Sequence, residues 1–407
     1  MKIVMYAYAY VSNKREHRGG KIMNLTKRLL LVALAVVMVF AALVGCAAPA
    51  AGTPAAAETI KIGVFEPMTG ANAGGGTLEV KGIDLANKLR PTVNGKTVEL
   101  VKADNKSDTV EAASAAARLV ESGVSAIIGS WGSGLSIAAG DVVRDAKVPA
   151  VGASCTNPLV TQGNDWYFRV CFIDPYQGKV MANYAYTVLG KKKAAIIREV
   201  SNDYSVGLAQ FFTEAFKGLG GTIVAEADYN TNDQDFNAQI TNVMQANPEV
   251  IFAPGNFTES ALIVKQAREL GYDVPFLGGD TWETPELLEV GGAAVEGIVF
   301  STFFDSNSNL TPMTKTFVDA YKAEYNEEPA AVSALSFDAY NLILDAIEKS
   351  GATGGEELRA AIEATKDFEG AAGVVNFDEN GDATKDAVIK EVKDGKFTYK
   401  TTVGAEG

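Results

Sequence analysis

The stretch SAIIGSWGSGLSIAAGDVVRDAKVPAVGASCTNPL, residues 125–159, decides how the chain folds. A short apolar run, Ala126–Ile128, stops at Gly129. A helical pattern occupies LSIAAGDVVRDAK, and a second apolar run, VPAVGAS, follows it. Runs this short and this uniformly apolar read as strands covered on both faces, as in a parallel sheet with helical crossovers. The same rhythm extends outward. Upstream lie TIKIGVF (59–65) as strand, Leu78–Leu89 as helix, KTVELVKAD (96–104) as strand, and an Ala-rich helix from Asp108, which stands at its N-cap. After Asp174-Pro175 it restarts with AAIIREV, SVGLAQFFTEAFKGLGG, TIVAEADY, DFNAQITNVMQAN, EVIFAPG, ESALIVKQARELG and PFLGGD. Two consecutive sets of this length predict an α/β protein of two doubly wound parallel-sheet lobes.

The last hundred or so residues differ in kind. Three helical patterns (311–325, 334–351 and 355–367) precede VVNFD, AVIKEV and KFTYKTTV. These are too few strands for a third core, so they are expected to complete the two lobes already begun.

The N-terminal region reads as address rather than fold. LLLVALAVVMVFAALV, Leu29–Val44, follows Lys27 and Arg28 and precedes small residues, the order of a secretory signal, and it is shorter than the roughly 20 residues that span a bilayer. Leu43-Val44-Gly45-Cys46 resembles a bacterial lipobox, which implies a signal peptide over 23–45 and lipidation at Cys46. Met23 is its natural start, and residues 1–22 look like upstream sequence translated in error. The Ala/Pro-rich stretch 46–58 reads as a tether.

Residues 1–45 carry seven Lys/Arg and one Asp/Glu, so the remainder holds 29 basic and 49 acidic residues, a net charge of −20. That balance argues against nucleic acid or an anionic membrane surface as a partner. The one histidine, His17, lies in the discarded part. A Ser-His-Asp triad or a histidine-activated thiolate is then impossible, and no G-x-S-x-G elbow occurs. Two cysteines and no histidine do not make the usual zinc site, and neither phosphate-binding glycine frame is present. No catalytic residue, metal or cofactor is expected. Cys155 and Cys171 are open to pairing or to remaining free thiols.

Ligands of such sheets bind at the carboxyl ends of the strands, here 66–76, 129–136, 152–158, 256–259 and 278–282. GSWGSGLSIAAG and GASCTNP offer small residues and hydroxyls, Ser133 and Thr156, before expected helix starts. Two helix N-termini and two hydroxyls suit a carboxylate, with ordinary capping by Ser133 as the alternative. Asp280, after two glycines, suits an ammonium or else caps the helix near Pro285. Together these ends fit an α-amino acid.

IKIGVFEPMTG, AIIGSWGSGLSIAA, PAVGASCTNPLVTQG, FRVCFIDPYQG, LGGD and VVNFDENGD, in this order, resemble the leucine/isoleucine/valine-binding family of ABC-importer substrate-binding proteins, over about Thr59–Val403. The resemblance implies a type I periplasmic-binding fold with three hinge crossings, near 173–175, 301–304 and 382–385. Lobe 1 would comprise 59–174 and 304–382, and lobe 2 would comprise 175–303 and 383–407. It implies that Ser133, Thr156 and backbone N–H groups near Ser154 and Cys155 hold the ligand carboxylate, that Asp280 holds the ammonium, and that Tyr204 closes over it. Asn256 stands where relatives often have Tyr. The Gly74–Gly76 run replaces a loop aromatic, and Trp131 adds bulk, so the side-chain pocket is expected to be reshaped. The implied protein is a monomer, tethered outside the cytoplasm by Cys46, that delivers an amino acid to permease subunits. A binding or sensory lipoprotein for an amide, urea or aromatic acid is the alternative.

Overall fold

Strand β1 (Thr59–Glu66) opens the computed structural model, which describes residues 59–404. The upstream extension, signal, tether and Cys46 lie outside the described residues, as do positions 405–407. β1 is buried along its last five residues and sits centrally in a six-stranded sheet. Its neighbours are β2 (Thr92–Val93), β3 (Lys96–Asp104), β4 (Ala126–Ile128), β5 (Ala150–Gly152) and β6 (Tyr167–Arg169), in the order β2-β3-β1-β4-β5-β6. All neighbours run parallel except the β2–β3 hairpin.

Alternate residues of these strands feed two cores. Val64 and Ile128 pack with α1 (Ala73–Leu89) and α10 (Ala331–Ser350) on one face. Phe65 and Ile127 pack with α2 (Thr109–Glu121) and α3 (Ser133–Ala146) on the other. Asp108 caps α2, accepting from the N–H groups of Val110 and Glu111 at 2.9 Å each.

The second sheet has seven strands in the order β15-β14-β11-β10-β9-β7-β8. They are β7 (Lys193–Glu199), β8 (Thr222–Tyr229), β9 (Val250–Phe252), β10 (Phe276–Gly278), β11 (Val299–Thr302), β14 (Ala387–Lys393) and β15 (Lys396–Val403). β8 through β11 are parallel, whereas β14 and β15 add antiparallel with a bulge between Ile389 and Lys390. Both sheets are therefore mixed at an edge, because the hairpins there need no helical crossover. Helices α4 (Asp174–Asn183), α5 (Asp203–Gly218), α6 (Asn237–Gln245), α7 (Phe257–Glu269) and α8 (Pro285–Gly291) link the strands of this lobe. Helices α9 (Pro312–Tyr325) and α11 (Gly355–Glu363) and a hairpin of β12 (Phe368–Gly370) with β13 (Gly373–Val375) complete the chain.

Two expectations need correction. Helix α1 starts at Ala73, five residues before the predicted Leu78, so Gly74–Gly76 form its first turn and not a loop. Glycine costs about 1 kcal/mol per site in a helix, and propensity alone argues against that turn. Tertiary packing overrides it. A Cβ at Gly75 would lie 2.2 Å from the Trp131 ring and one at Gly76 2.3 Å from the Pro67 carbonyl. Second, no α-helix follows GASCTNP. A single turn at Pro158–Val160 leads directly into β6, a strand that the apolar pattern alone had not singled out.

Candidate functional site

In both sheets the strand order reverses beside the central strands, between β1 and β4 and between β7 and β9, and the loops there splay apart to leave a crevice. A cavity of about 90 Å³ lies between the two sets of loops. The first lobe contributes Asn72, Trp131–Leu135 and Ser154, and the second Glu199, Asn202–Tyr204, Asn256 and Asp280.

The N-terminus of α3 faces this space. Its N-cap is Gly132, at φ 94°, and no side chain caps it. Ser133 is thus the first helical residue and not the cap. Its Oγ accepts from the Asn157 N–H at 3.1 Å, which ties the loop after β4 to the loop after β5 and leaves the hydroxyl hydrogen available. The opposing α5 is closed by comparison, with Asn202 capping Tyr204 N–H at 3.1 Å and Asp203 in its first turn. One bare helix N-terminus, and not two, remains for an anion.

The loop Gly152–Asn157 is held from behind by Arg169, which is fully buried. Its guanidinium donates to the carbonyls of Cys155 (2.6 Å) and Asn157 (2.8 Å), to Thr161 Oγ1 (2.6 Å) and to Asp382 Oδ1 (2.5 Å). Turning those carbonyls inward commits the backbone of the loop to one geometry. Ser154 reaches the cavity, while Cys155 and Thr156 lie behind its wall with no exposed surface. Cys155 folds onto Gly152, where a Cβ would sit 2.1 Å from its sulfur. Burial pushes its thiol up to about 11, so it stays protonated and unreactive. Cys155 and Cys171 are both free and buried. Thr156 lies beside the buried Asp174, whose carboxyl burial raises to about 8 while the neighbouring Thr156 hydroxyl works to lower it.

Asp280 does not cap α8, since Thr284 accepts from Leu287 N–H there. It is 3% exposed, and its Oδ1 accepts from Gln177 Nε2 at 2.8 Å and from the Tyr204 hydroxyl at 2.9 Å. Gln177 is itself fixed by Ser301 Oγ at 2.9 Å. None of the described ion pairs gives Asp280 a cationic partner, and burial raises its carboxyl to about 6. Tyr204 therefore positions Asp280 as well as lining the cavity.

The side-chain end is aromatic. Trp131 occupies the space that a residue larger than glycine at 75 would need, and its ring meets Phe257 edge-on at 6.0 Å. Across the mouth Asn256 Nδ2 donates to Asn72 Oδ1 (2.9 Å), and Asn157 Nδ2 donates to the Asp203 carbonyl (2.9 Å), so the lobes are drawn together. Sequence reading had missed Asn72, Gln177 and Phe257. It had missed Arg169 too, although a lone charge inside the apolar run YFRVCF was a signal that could have found it.

Two lobes meeting over a small polar crevice, with an uncapped helix end on one side and an unpaired carboxylate on the other, define a two-lobed solute-binding protein. The chain belongs to the periplasmic binding protein family, whose model matches residues 59–396. It is 30% identical to Leu/Ile/Val-binding protein homolog 3 of Brucella melitensis over 88% of this chain and 96% of that one. The crystal structure of the leucine-binding protein LivK of Thermotoga maritima is 44% identical, with a TM-score of 0.84, covering 85% of this chain and 99% of that one. LivJ of Streptococcus pneumoniae, a branched-chain amino acid transporter substrate-binding protein solved with isoleucine, is 35% identical with a TM-score of 0.79, covering 85% and 99%. Members of this family are binding proteins that work outside the cytoplasm.

Proposed function

We propose that this chain is the solute-binding protein of an ABC importer and that it captures an apolar α-amino acid of branched-chain size between its lobes. The observation that carries this reading is Asp280, a buried carboxylate held by two neutral donors and lacking a cation. A ligand ammonium supplies the missing charge. The ligand carboxylate then sits at the α3 N-terminus, with Ser133, Ser154 and the backbone near Cys155, and Thr156 supports that loop from behind. The ligand side chain then points to Trp131 and Leu135, which line the cavity. Structural neighbours named as a leucine-binding protein and as an isoleucine complex support the same class. The captured ligand passes from the monomeric, Cys46-tethered protein to membrane permease subunits. Intact-mass measurement of the membrane fraction tests the tether: an unmodified Cys46 thiol would remove it.

A thermal-shift screen of the twenty amino acids, with aromatic acids, urea and amides as controls, tests the ligand class. A ligand present at a hundred times its Kd adds about 2.7 kcal/mol, a shift of about 4 °C for a chain of this size. Leucine, isoleucine or valine are expected to give it. A shift from aromatic acids or amides alone sinks the amino-acid reading.

Trp131 sets the size limit. Trp131→Ala is expected to weaken leucine by about 1–3 kcal/mol and to admit phenylalanine, which the native cavity excludes. Calorimetric titration with both ligands reads the exchange, and an unchanged preference would remove Trp131 from the pocket wall.

A further inference from the structure

Beneath the cavity floor lie two acidic side chains that the ligand does not reach. Glu66 ends β1, Glu79 sits in the second turn of α1, and both are completely buried. Their carboxyl groups are hydrogen-bonding neighbours. Glu66 Oε2 accepts from Trp131 N–H at 2.8 Å, and Glu79 Oε1 accepts from the Ser154 hydroxyl. The two remaining oxygens, Glu66 Oε1 and Glu79 Oε2, have no donor from any other group. Two adjacent buried carboxylates do not both ionise, so a proton between those two orphaned oxygens satisfies both at once. That proton leaves Glu79 Oε1 free to take another.

The state of Glu79 decides what Ser154 shows the cavity. When Glu79 is ionised, Ser154 spends its hydrogen on Oε1 and turns oxygen lone pairs toward the ligand. When Glu79 Oε1 carries a proton, that proton is donated to Ser154 Oγ, and the serine hydrogen is released to point into the cavity. We propose that Glu79 is a positioning residue that switches Ser154 into a donor for the ligand carboxylate, and that capture takes up one proton from solvent at Glu79. This rests on the amino-acid reading above, which places a carboxylate beside Ser154.

The surroundings favour the proton. Burial, first of all, raises Glu79 to about 7, and burial followed by Glu79 itself raises Glu66 well above the usual carboxylate range. Asp280, facing from the second lobe, pushes Glu79 the same way. Cys155 and Tyr167, the other titratable groups against the pair, are both raised by burial and stay neutral. Arg169, beyond Cys155, is committed to Asp382. A ligand carboxylate adds one more negative charge.

The sign follows from linkage. Without ligand Glu79 stands at about 7 and a ligand carboxylate raises it further, so affinity is greatest below about pH 7 and is lost as pH rises through the higher value of the complex. Leucine affinity is expected to be several-fold tighter at pH 7 than at pH 8.5, a window above the titration of Asp280 near 6. Calorimetry at pH 7 in phosphate and in Tris should show net uptake of about half a proton. Glu79→Gln, whose amide donates to Ser154 permanently, should bind leucine with no such uptake, and more tightly than the native protein at pH 8.5. Native uptake of zero, or uptake unchanged in Glu79→Gln, overturns the proposal while leaving amino-acid binding standing. Should no amino acid bind, or should Glu79→Gln fail to fold, infrared spectra of the native chain still decide. With glutamate carboxyls isotope-labelled, a protonated glutamate band should diminish between pH 6 and pH 8.5, and its constancy overturns the proposal.

Discussion

Asp280→Asn is expected to lose leucine binding by about 2–5 kcal/mol while the empty protein becomes no less stable. The two halves of this result have one cause. The asparagine oxygen can still accept from Gln177 and Tyr204, which now meet Asp280 at 2.8 and 2.9 Å, so the local geometry survives. What disappears is a buried negative charge. Burial raises the Asp280 carboxyl from 3.8 to about 6, so ionising it at neutral pH costs the empty folded protein about 2–3 kcal/mol. Stability tied to a raised carboxyl is present below its unfolded-state value and is lost as pH rises through its folded value. The native protein should therefore lose stability between about pH 4 and pH 6 at this site, and the variant should not. Calorimetric titration and urea unfolding read the two quantities separately. Leucine affinity within threefold of native would mean that the ammonium binds elsewhere.

Arg169→Met is expected to destabilise the fold by about 3–5 kcal/mol. The side chain removed has no exposed surface and serves the carbonyls of Cys155 and Asn157, Thr161 and Asp382. Its loss leaves Asp382, 8% exposed, without its ion-pair partner and leaves the Cys155 carbonyl without the guanidinium donor. Lysine does not restore the site, because a single ammonium does not reproduce a planar fork meeting several acceptors. Adding Asp382→Leu to Arg169→Met should recover part of the loss, since the uncompensated charge goes with it. Urea midpoints for the three variants make the comparison, and a single-variant loss below about 1 kcal/mol would show that water replaces the guanidinium.

The alternation of strand and helix was legible because each buried strand is a short apolar run between turn residues. The site was legible in part. Ser133, Ser154, Tyr204, Asn256, Trp131 and Asp280 line one cavity because all follow carboxyl ends of strands, where the fold opens. Glu79 was not legible, since a glutamate within LEVKGIDLANKL reads as one of several charges on a solvated helix face. Its burial comes from α10, whose Ser336 hydroxyl donates to the Glu79 carbonyl at 2.8 Å from 257 positions along the chain. The first turn of α1 was hidden for the opposite reason. Three glycines argue against a helix locally, and only the Trp131 ring and the Pro67 carbonyl pressing on them explain why no side chain is there.

The outer border of the second sheet bears on whether copies of the chain can join strand by strand. Among the described residues no strand pairs with the outer side of β15, the kind of border to which a further chain adds. Lys396 and Lys400 stand on that strand, Lys400 bonded to Glu391 at 2.8 Å, and the bulge in the adjoining β14 twists the ribbon out of plane. A strand arriving from another molecule would have to follow that twist and strip water from the lysines. The second lobe thus carries its own guard against strand-by-strand self-association.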